Sequence, residues 1–310
     1  MSRFNAFHVG LMLAALGLAY LLPFRLILLS YAVLGPAHYL TEISWLHERS
    51  YFLPRRAWAW LLIALTLLML IHGHSPRAGA CLLCCAFGVS AALVLTKARL
   101  ARTLAFSATL GVAIGVASDV SASSVLVVLL TTVIHVTLFT FFFMLNGALR
   151  ARSGAQLLLA GLYIAGIVLM VTTPPTAGAQ GMDRAASVYF DGVGAALGVL
   201  FGAGPWRLDT RLAGMLSFIY TYHYLNWFIK VNVVKWHEVP KARLAFVAFL
   251  SAVATGLYFI DYSLGFIALL SLSLLHVVLE FPLNVMTVRD LSRRFIDRLV
   301  TATAPSIQKS

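Results

Sequence analysis

The sequence predicts an all-α, polytopic membrane protein, a single bundle of about ten transmembrane helices with both termini cytoplasmic. Three observations predict it. First, 61% of the 310 residues are hydrophobic and only 11% are charged, with a mean hydropathy of +0.90, which suits a chain that meets lipid rather than water. Second, apolar stretches recur along the whole length, and no polar block is long enough to fold as a separate soluble domain. Third, the basic residues sort by side once the stretches are laid through a bilayer.

Spans of about 16–26 residues are expected near 7–22, 26–46, 57–72, 78–96 and 103–118, then near 123–148, 154–172, 211–232, 242–258 and 263–288. The first stretch lacks a small-residue cleavage site and runs straight into Pro23, so no cleavable signal peptide is expected. With a cytoplasmic N-terminus, 18 Lys and Arg fall on the inner face, among them Arg49, Arg150, Lys230, Arg243 and Arg289. The outer face holds 5: Arg25, Arg77, Arg184, Arg207 and Arg211. The net charge of +12 is therefore read as positive-inside bias, and no nucleic-acid partner is expected. The destination is a multi-pass location in the inner (cytoplasmic) membrane.

Pro174, Pro175 and several glycines mark residues 173–210 as an outer loop. Within it, 186–203 is apolar but Gly-rich, and reads as a re-entrant or interfacial piece. A full crossing there would invert everything downstream and erase the charge bias. After the last span, Leu291, Phe295 and Leu299 recur one turn apart, with Arg293, Arg294 and Arg298 on the other side. The chain thus divides into a transmembrane domain, 1–288, and a basic amphipathic tail, 289–310, lying on the inner leaflet. Cys81, Cys84 and Cys85 resemble half a zinc site without a second half, and read as small packing residues.

Four histidines interrupt this pattern. His38, His135, His223 and His276 each sit well inside an apolar span, and two carry a glutamate four residues on, Glu42 and Glu280. Four residues is one helical turn, so each pair projects from one face. An ionisable group at mid-bilayer costs roughly 2.5–3.5 kcal/mol on the insertion scale. The other nine acidic residues lie in or next to loops, so Glu42 and Glu280 need a cause.

In the expected topology the four histidine helices all run from outside to inside, and each histidine falls at a similar depth before the cytoplasmic basic residues. A shared layer of imidazole and carboxylate suits Fe(II), Mn(II) or Zn(II). The four histidines could hold one ion, and Glu42 and Glu280 could extend the set to two ions or orient the imidazoles. Asn226, Lys230 and Asn284 fall on or near the same faces; Lys230 reads as a snorkelling interfacial lysine and Asn284 as a helix contact. His47 and His237, beside Trp45 and Trp236, read as interfacial. His72 and His74 read as a loop, and His8 as carrying little weight. Phe139, Phe141, Phe142 and Phe143 could line a tunnel for an apolar substrate.

These segments resemble a family. LGPAHYLTEISW is similar to the first box of the Brp/Blh membrane β-carotene dioxygenases. VVLLTTVIHVTLF, SFIYTYHYLNWFIK and LLHVVLEFPLN resemble their later histidine segments, in the same order. The resemblance implies a helical membrane enzyme with a histidine-ligated non-haem iron, using dioxygen to cleave a carotenoid and release retinal. It carries His38, His135 and His223 over as ligands. One departure is plain: the family's third box has two histidines one turn apart, whereas the positions flanking His223 are Ile219 and Trp227. His276 or a glutamate then has to replace the missing ligand.

The expected function is an integral-membrane oxygenase with Fe(II), one or two ions, or Mn, acting on a carotenoid or other apolar, lipid-like molecule. His38, His135, His223, His276, Glu42 and Glu280 are the metal candidates, and the two glutamates are also the catalytic candidates. Its partners are dioxygen, membrane lipids and the lipid-like substrate. The close variant is a di-iron desaturase or hydroxylase, which needs an electron-donor protein. The rivals are an ion- or proton-coupled transporter using the His/Glu pairs and a haem-binding electron carrier, which leaves Glu42 and Glu280 unexplained.

Overall fold

The computed structural model describes residues 3–72, 75–175, 210–230 and 234–303, and among these every regular element is helical. In chain order the helices are α1 (Arg3–Leu21), α2 (Pro23–Glu48), α3 (Trp58–Ile71), α4 (Pro76–Leu95) and α5 (Arg99–Ala117). Then come α6 (Val120–Ala151), α7 (Gly154–Thr172), α8 (Thr210–Ile229), α9 (Lys241–Ile260) and α10 (Tyr262–Thr303). Seven of them (α2, α4, α5, α6, α7, α9 and α10) are long and apolar enough to cross a membrane, and α1 and α3 are shorter apolar helices. The chain is a multi-pass helical membrane protein, as expected. The expected piece at 186–203 lies outside the described residues. Residues 289–303 carry α10 onward without a break, with Arg293 and Phe295 both exposed.

Local signals start and stop these helices. Ser75 accepts from the Ala78 amide with Pro76 in the first turn of α4, Asp119 caps α6 through the Ala122 amide, and Ser153 caps α7 through that of Gln156. Arg152 takes a left-handed φ of 48° to end α6. The linkers are so short that α5 and α6, α6 and α7, and α9 and α10 must be antiparallel neighbours.

Two helices widen into π turns, at Ser30–Leu34 in α2 and Leu129–Phe139 in α6. Pro36 explains the first. It has no N–H and its ring crowds the carbonyl four residues back, which is that of Ala32. That carbonyl instead accepts from Thr255 Oγ1 on α9 at 2.9 Å. In α6 the Val136 carbonyl accepts from the Tyr163 hydroxyl at 3.3 Å. A π turn re-aims the residues beyond it and is frequent at functional sites; one lies just before His38 and the other contains His135.

Cross-helix contacts fix direction. Between α2 and α8 the pairs are Pro23 with Ser217, Ser30 with Thr221, Tyr39 with Tyr224 and Thr41 with Trp227. Both numbers rise together, so the helices are parallel. His135 meets His276, and 15 residues on Arg150 meets Asp290, so α6 and α10 are parallel too. Thr140 with His223 and Phe143 with Lys230 align α6 with α8. The four histidine helices are codirectional, as the charge pattern predicts. Arg243 with Glu48 and Thr255 with Ala32 set α9 antiparallel to α2.

Two apolar cores meet at these helices. One packs Tyr39, Tyr163, Phe218 and Tyr222, and the other packs Trp45, Leu83, Trp227 and Phe281. Helices α2 and α8 contribute to both. The outer helices keep apolar side chains exposed; on α5, Leu100 is 73% and Val112 61% accessible, the expected dress of a lipid-facing surface.

At the α9–α10 turn, a Cβ on Gly265 would lie 2.1 Å from the Tyr258 Cα, whereas one on Gly161 would meet open space. Backbone cannot yield as a side-chain tip can. Gly265→Ala is expected to destabilise the protein by about 1–3 kcal/mol or more while Gly161→Ala does not, measured as the thermal loss of monodisperse protein in detergent.

Candidate metal centre

The π turns and parallel packing bring all six predicted residues together. His38 and Glu42 come from α2, His135 from α6, His223 from α8, and His276 and Glu280 from α10. The four imidazoles form a closed ring, with neighbouring centroids 4.7 Å (His38–His223), 5.6 Å (His223–His135), 5.0 Å (His135–His276) and 5.2 Å (His276–His38) apart. His38, His135, His276 and both glutamates are at most 3% exposed, and His223 is half-buried against a cavity.

The ring edges point inward. His38 Nε2 lies 3.1 Å from His223 Nε2 and 3.2 Å from Glu42 Oε2. His135 Nε2 lies 3.2 Å from His276 Nε2 and 3.5 Å from Glu280 Oε2. The Nδ1 atoms of His38 and His135, on the other side of each ring, have no hydrogen-bond partner. A neutral imidazole has one N–H and one lone pair, so a single Nε2 proton cannot satisfy two acceptors at once. A shared cation satisfies every inward contact. Two ring nitrogens about 2.1 Å from a first-row ion and a right angle apart lie about 3 Å from each other, which is the spacing found. The ligand-capable atoms of His38, His223 and His276, and those of His135, His276 and Glu280, each fall within 4.8 Å of one another. The residues present fit a metal ion.

Neighbours hold the ring in place. Thr140 Oγ1 is 2.6 Å from His223 Nδ1. Tyr39 stacks on His276 at 4.4 Å, and its hydroxyl lies 2.6 Å from that of Tyr224. The Trp227 ring stands edge-on to His38 and donates to Thr41 Oγ1 at 3.0 Å. Glu42 and Glu280 interact with each other, and both are in electrostatic reach of Lys230.

A cavity of about 520 Å³ opens from this cluster. It is lined by His38, Glu42, His223 and Glu280 at one end and reaches Arg150 and Asp290 at the other. Along α6 the wall runs from Thr140 to Arg150, about 15 Å at the helical rise. Its lining mixes apolar groups such as Trp45, Phe143 and Leu283 with Asn5, His8, Asn146, Asn226 and Lys230.

Sequence reasoning placed the six candidates and missed part of their setting. Thr140, Tyr39 and Tyr224 were not singled out; a lone hydroxyl in the Phe-rich run after His135 was the available signal for Thr140. His8, given little weight, is buried in the cavity wall. Lys230, read as interfacial, is half-buried in the cavity wall with its Nζ 5.5 Å from the Phe143 ring, in electrostatic reach of the two carboxylates. Asn284 is fully buried with neither side-chain polar atom hydrogen-bonded. Of the phenylalanine run, Phe143 lines the cavity and Phe139 packs edge-on to His135. Among the described residues the three cysteines are free, half-buried and outside any metal-capable group. His47 pairs with the Tyr51 hydroxyl, His237 is exposed, His72 ends α3, and His74 lies outside the described residues.

No family, curated protein or solved structure matches the chain. The site's chemistry therefore rests on its own residues.

Thr140 is the sharpest test of support around the ring. A group that orients a ligating histidine typically contributes 10–100-fold in metal affinity. Thr140→Val keeps the shape and removes the hydroxyl, and is expected to weaken metal binding by about that factor in a chelator competition.

Proposed function

We propose that the chain is an integral-membrane, metal-dependent oxygenase with a non-haem iron centre, acting on a lipid-like substrate. The observation that carries this reading is the inward convergence of four Nε2 atoms and two carboxylates inside an apolar bundle. His38, His135, His223 and His276 would hold Fe(II), with Mn(II) as the alternative, and Glu42 and Glu280 would complete or orient the set. The bound ion supplies dioxygen activation, so no protein nucleophile is needed. The chain's part is to fix the imidazoles through Thr140, Tyr39 and Trp227, to surround them with apolar packing, and to admit substrate through the cavity. That cavity has the size of a small-molecule site.

Ten crossings, cytoplasmic termini and the inner membrane belong to this proposal, supported by the 18-to-5 division of basic residues. In this orientation the cavity end marked by Arg150 and Asp290 faces the cytoplasm. The carotenoid is the substrate suggested by the resemblance. The departure around His223 and the polar groups in the cavity wall favour a different lipid-like molecule.

The di-iron variant has an observation of its own. The contacts group into two equal sets, His38, His223 and Glu42, and His135, His276 and Glu280. Each is two histidines and one carboxylate, a common iron-binding set, and the two glutamates meet between them.

Metal analysis of purified protein tests the reading. We expect iron or manganese at one ion per chain, or two for the di-iron variant, and loss of metal in His38→Ala and His276→Ala. Protein that carries neither metal, with both variants unchanged, would end the enzyme proposal. In a host that accumulates β-carotene, the expected result is intact pigment; bleaching with retinal release would return the carotenoid to first place.

A further inference from the structure

The two ends of the cavity differ in chemistry. The cluster end carries His38, Glu42, His223 and Glu280. The far end carries Asn146 on α6, Gln156 on α7 and Thr287 on α10, side chains that hydrogen-bond without bearing a charge. The ions at that end match one another: Arg150 meets Asp290 at 2.5 Å, and Asp290 also meets Arg289 at 3.4 Å. Because α6 and α10 run parallel with Arg150 on Asp290, Asn146 and Thr287 lie at nearly one level, four and three residues earlier. Asn146 is also six residues past Thr140, the neighbour of His223, or about 9 Å along the helix. Between the two ends the wall is mostly apolar, with Trp45, Phe143, Leu159 and Leu283, and α8 adds Asn226 and Lys230.

Asn146 is the group that the fold leaves unsatisfied. It is 8% exposed, and its Oδ1 has no hydrogen-bond partner among the described residues. A buried amide without partners is costly, so a ligand that pairs it gains affinity. The amide offers an acceptor oxygen and two N–H donors, and a half-turn about its last bond exchanges the two ends. A carboxylate or phosphate brings no donor hydrogen and would meet Oδ1 oxygen to oxygen. An ammonium brings no acceptor, and the carboxylate at this end, Asp290, is already held by two arginines. A hydroxyl both donates and accepts, and it adds no charge. Thr287, 5% exposed at the same level, is itself a hydroxyl with the same double capacity.

We infer that the cavity takes a neutral, hydroxyl-bearing amphiphile, an alcohol whose head is held by Asn146 and Thr287 and whose hydrocarbon chain runs along the apolar wall toward the cluster. This names the ligand class for the cavity of the proposed oxygenase. The head pocket itself needs no ion, so it stands or falls separately from the metal centre. Asn146 is the specificity-determining residue.

Equilibrium dialysis of the purified protein in lipid nanodiscs, corrected with empty discs, tests it. The probes are 1-decanol, its methyl ether, decanoate and decylamine. The ether keeps the chain and the acceptor oxygen but cannot donate, so decanol is expected to bind about tenfold more tightly. Asn146→Leu should bring the alcohol-to-ether ratio close to one, and Thr287→Val should lower it, with metal content unchanged. The ratio compares two ligands on one protein sample, so a general loss of folded protein does not imitate the effect. Equal affinity for alcohol and ether in the unaltered protein overturns the inference, as does a ratio that survives Asn146→Leu. Decanoate or decylamine binding more tightly than decanol also overturns it, because the head pocket would then select a charge. Metal content of the same samples separates the two proposals. Metal-free protein that prefers the alcohol refutes only the centre, and metal-bearing protein without the preference refutes only the ligand class.

Discussion

The structure turns on four imidazoles held edge to edge in the middle of an apolar bundle. Their Nε2 atoms approach to 3.1 and 3.2 Å in pairs, with a carboxylate beside each pair. Neutral imidazoles cannot satisfy one another and the carboxylates together. A cation at their centre would resolve the conflict. Four helices must then run parallel and in register to within one turn, and the rest of the fold serves that requirement.

The irregular backbone follows from it. A straight α-helix repeats every 3.6 residues, which ties the face of His38 rigidly to that of Ser30 and Pro23. The π turn at Ser30–Leu34, stabilised where Pro36 frees the Ala32 carbonyl for Thr255, lets the first half of α2 pack on α8 while the second half aims His38 and Glu42 inward. The longer π stretch in α6 does the same for His135. Hydroxyls recruited from α7 and α9 satisfy displaced carbonyls, so helices that touch no metal candidate still shape the site.

The cavity gives the cluster an opening. A centre sealed in the apolar core would have no route for anything larger than dioxygen. Here the space beside His223 and Glu42 continues for several turns past Lys230 and Asn146 to the Arg150–Asp290 pair.

The helical class, the approximate span positions and the common depth of His38, His135, His223 and His276 were legible in the sequence. Hydropathy and the one-turn spacing of His38 with Glu42 and of His276 with Glu280 are local properties, and the charge bias implied helices of common direction. The neighbourhood of the centre was not legible. Thr140 on His223 Nδ1, Tyr39 stacked on His276, Lys230 beside the Phe143 ring and His8 in the cavity wall are placements that join residues far apart in the chain. Periodicity says which face of a helix is polar, but not which helix it meets or how a π turn rotates it. The sequence by itself therefore determined that costly polar residues share a layer in the membrane. Only the tertiary structure decided that their ring nitrogens converge within ligand distance, because that depends on helix packing and register, which no single segment encodes.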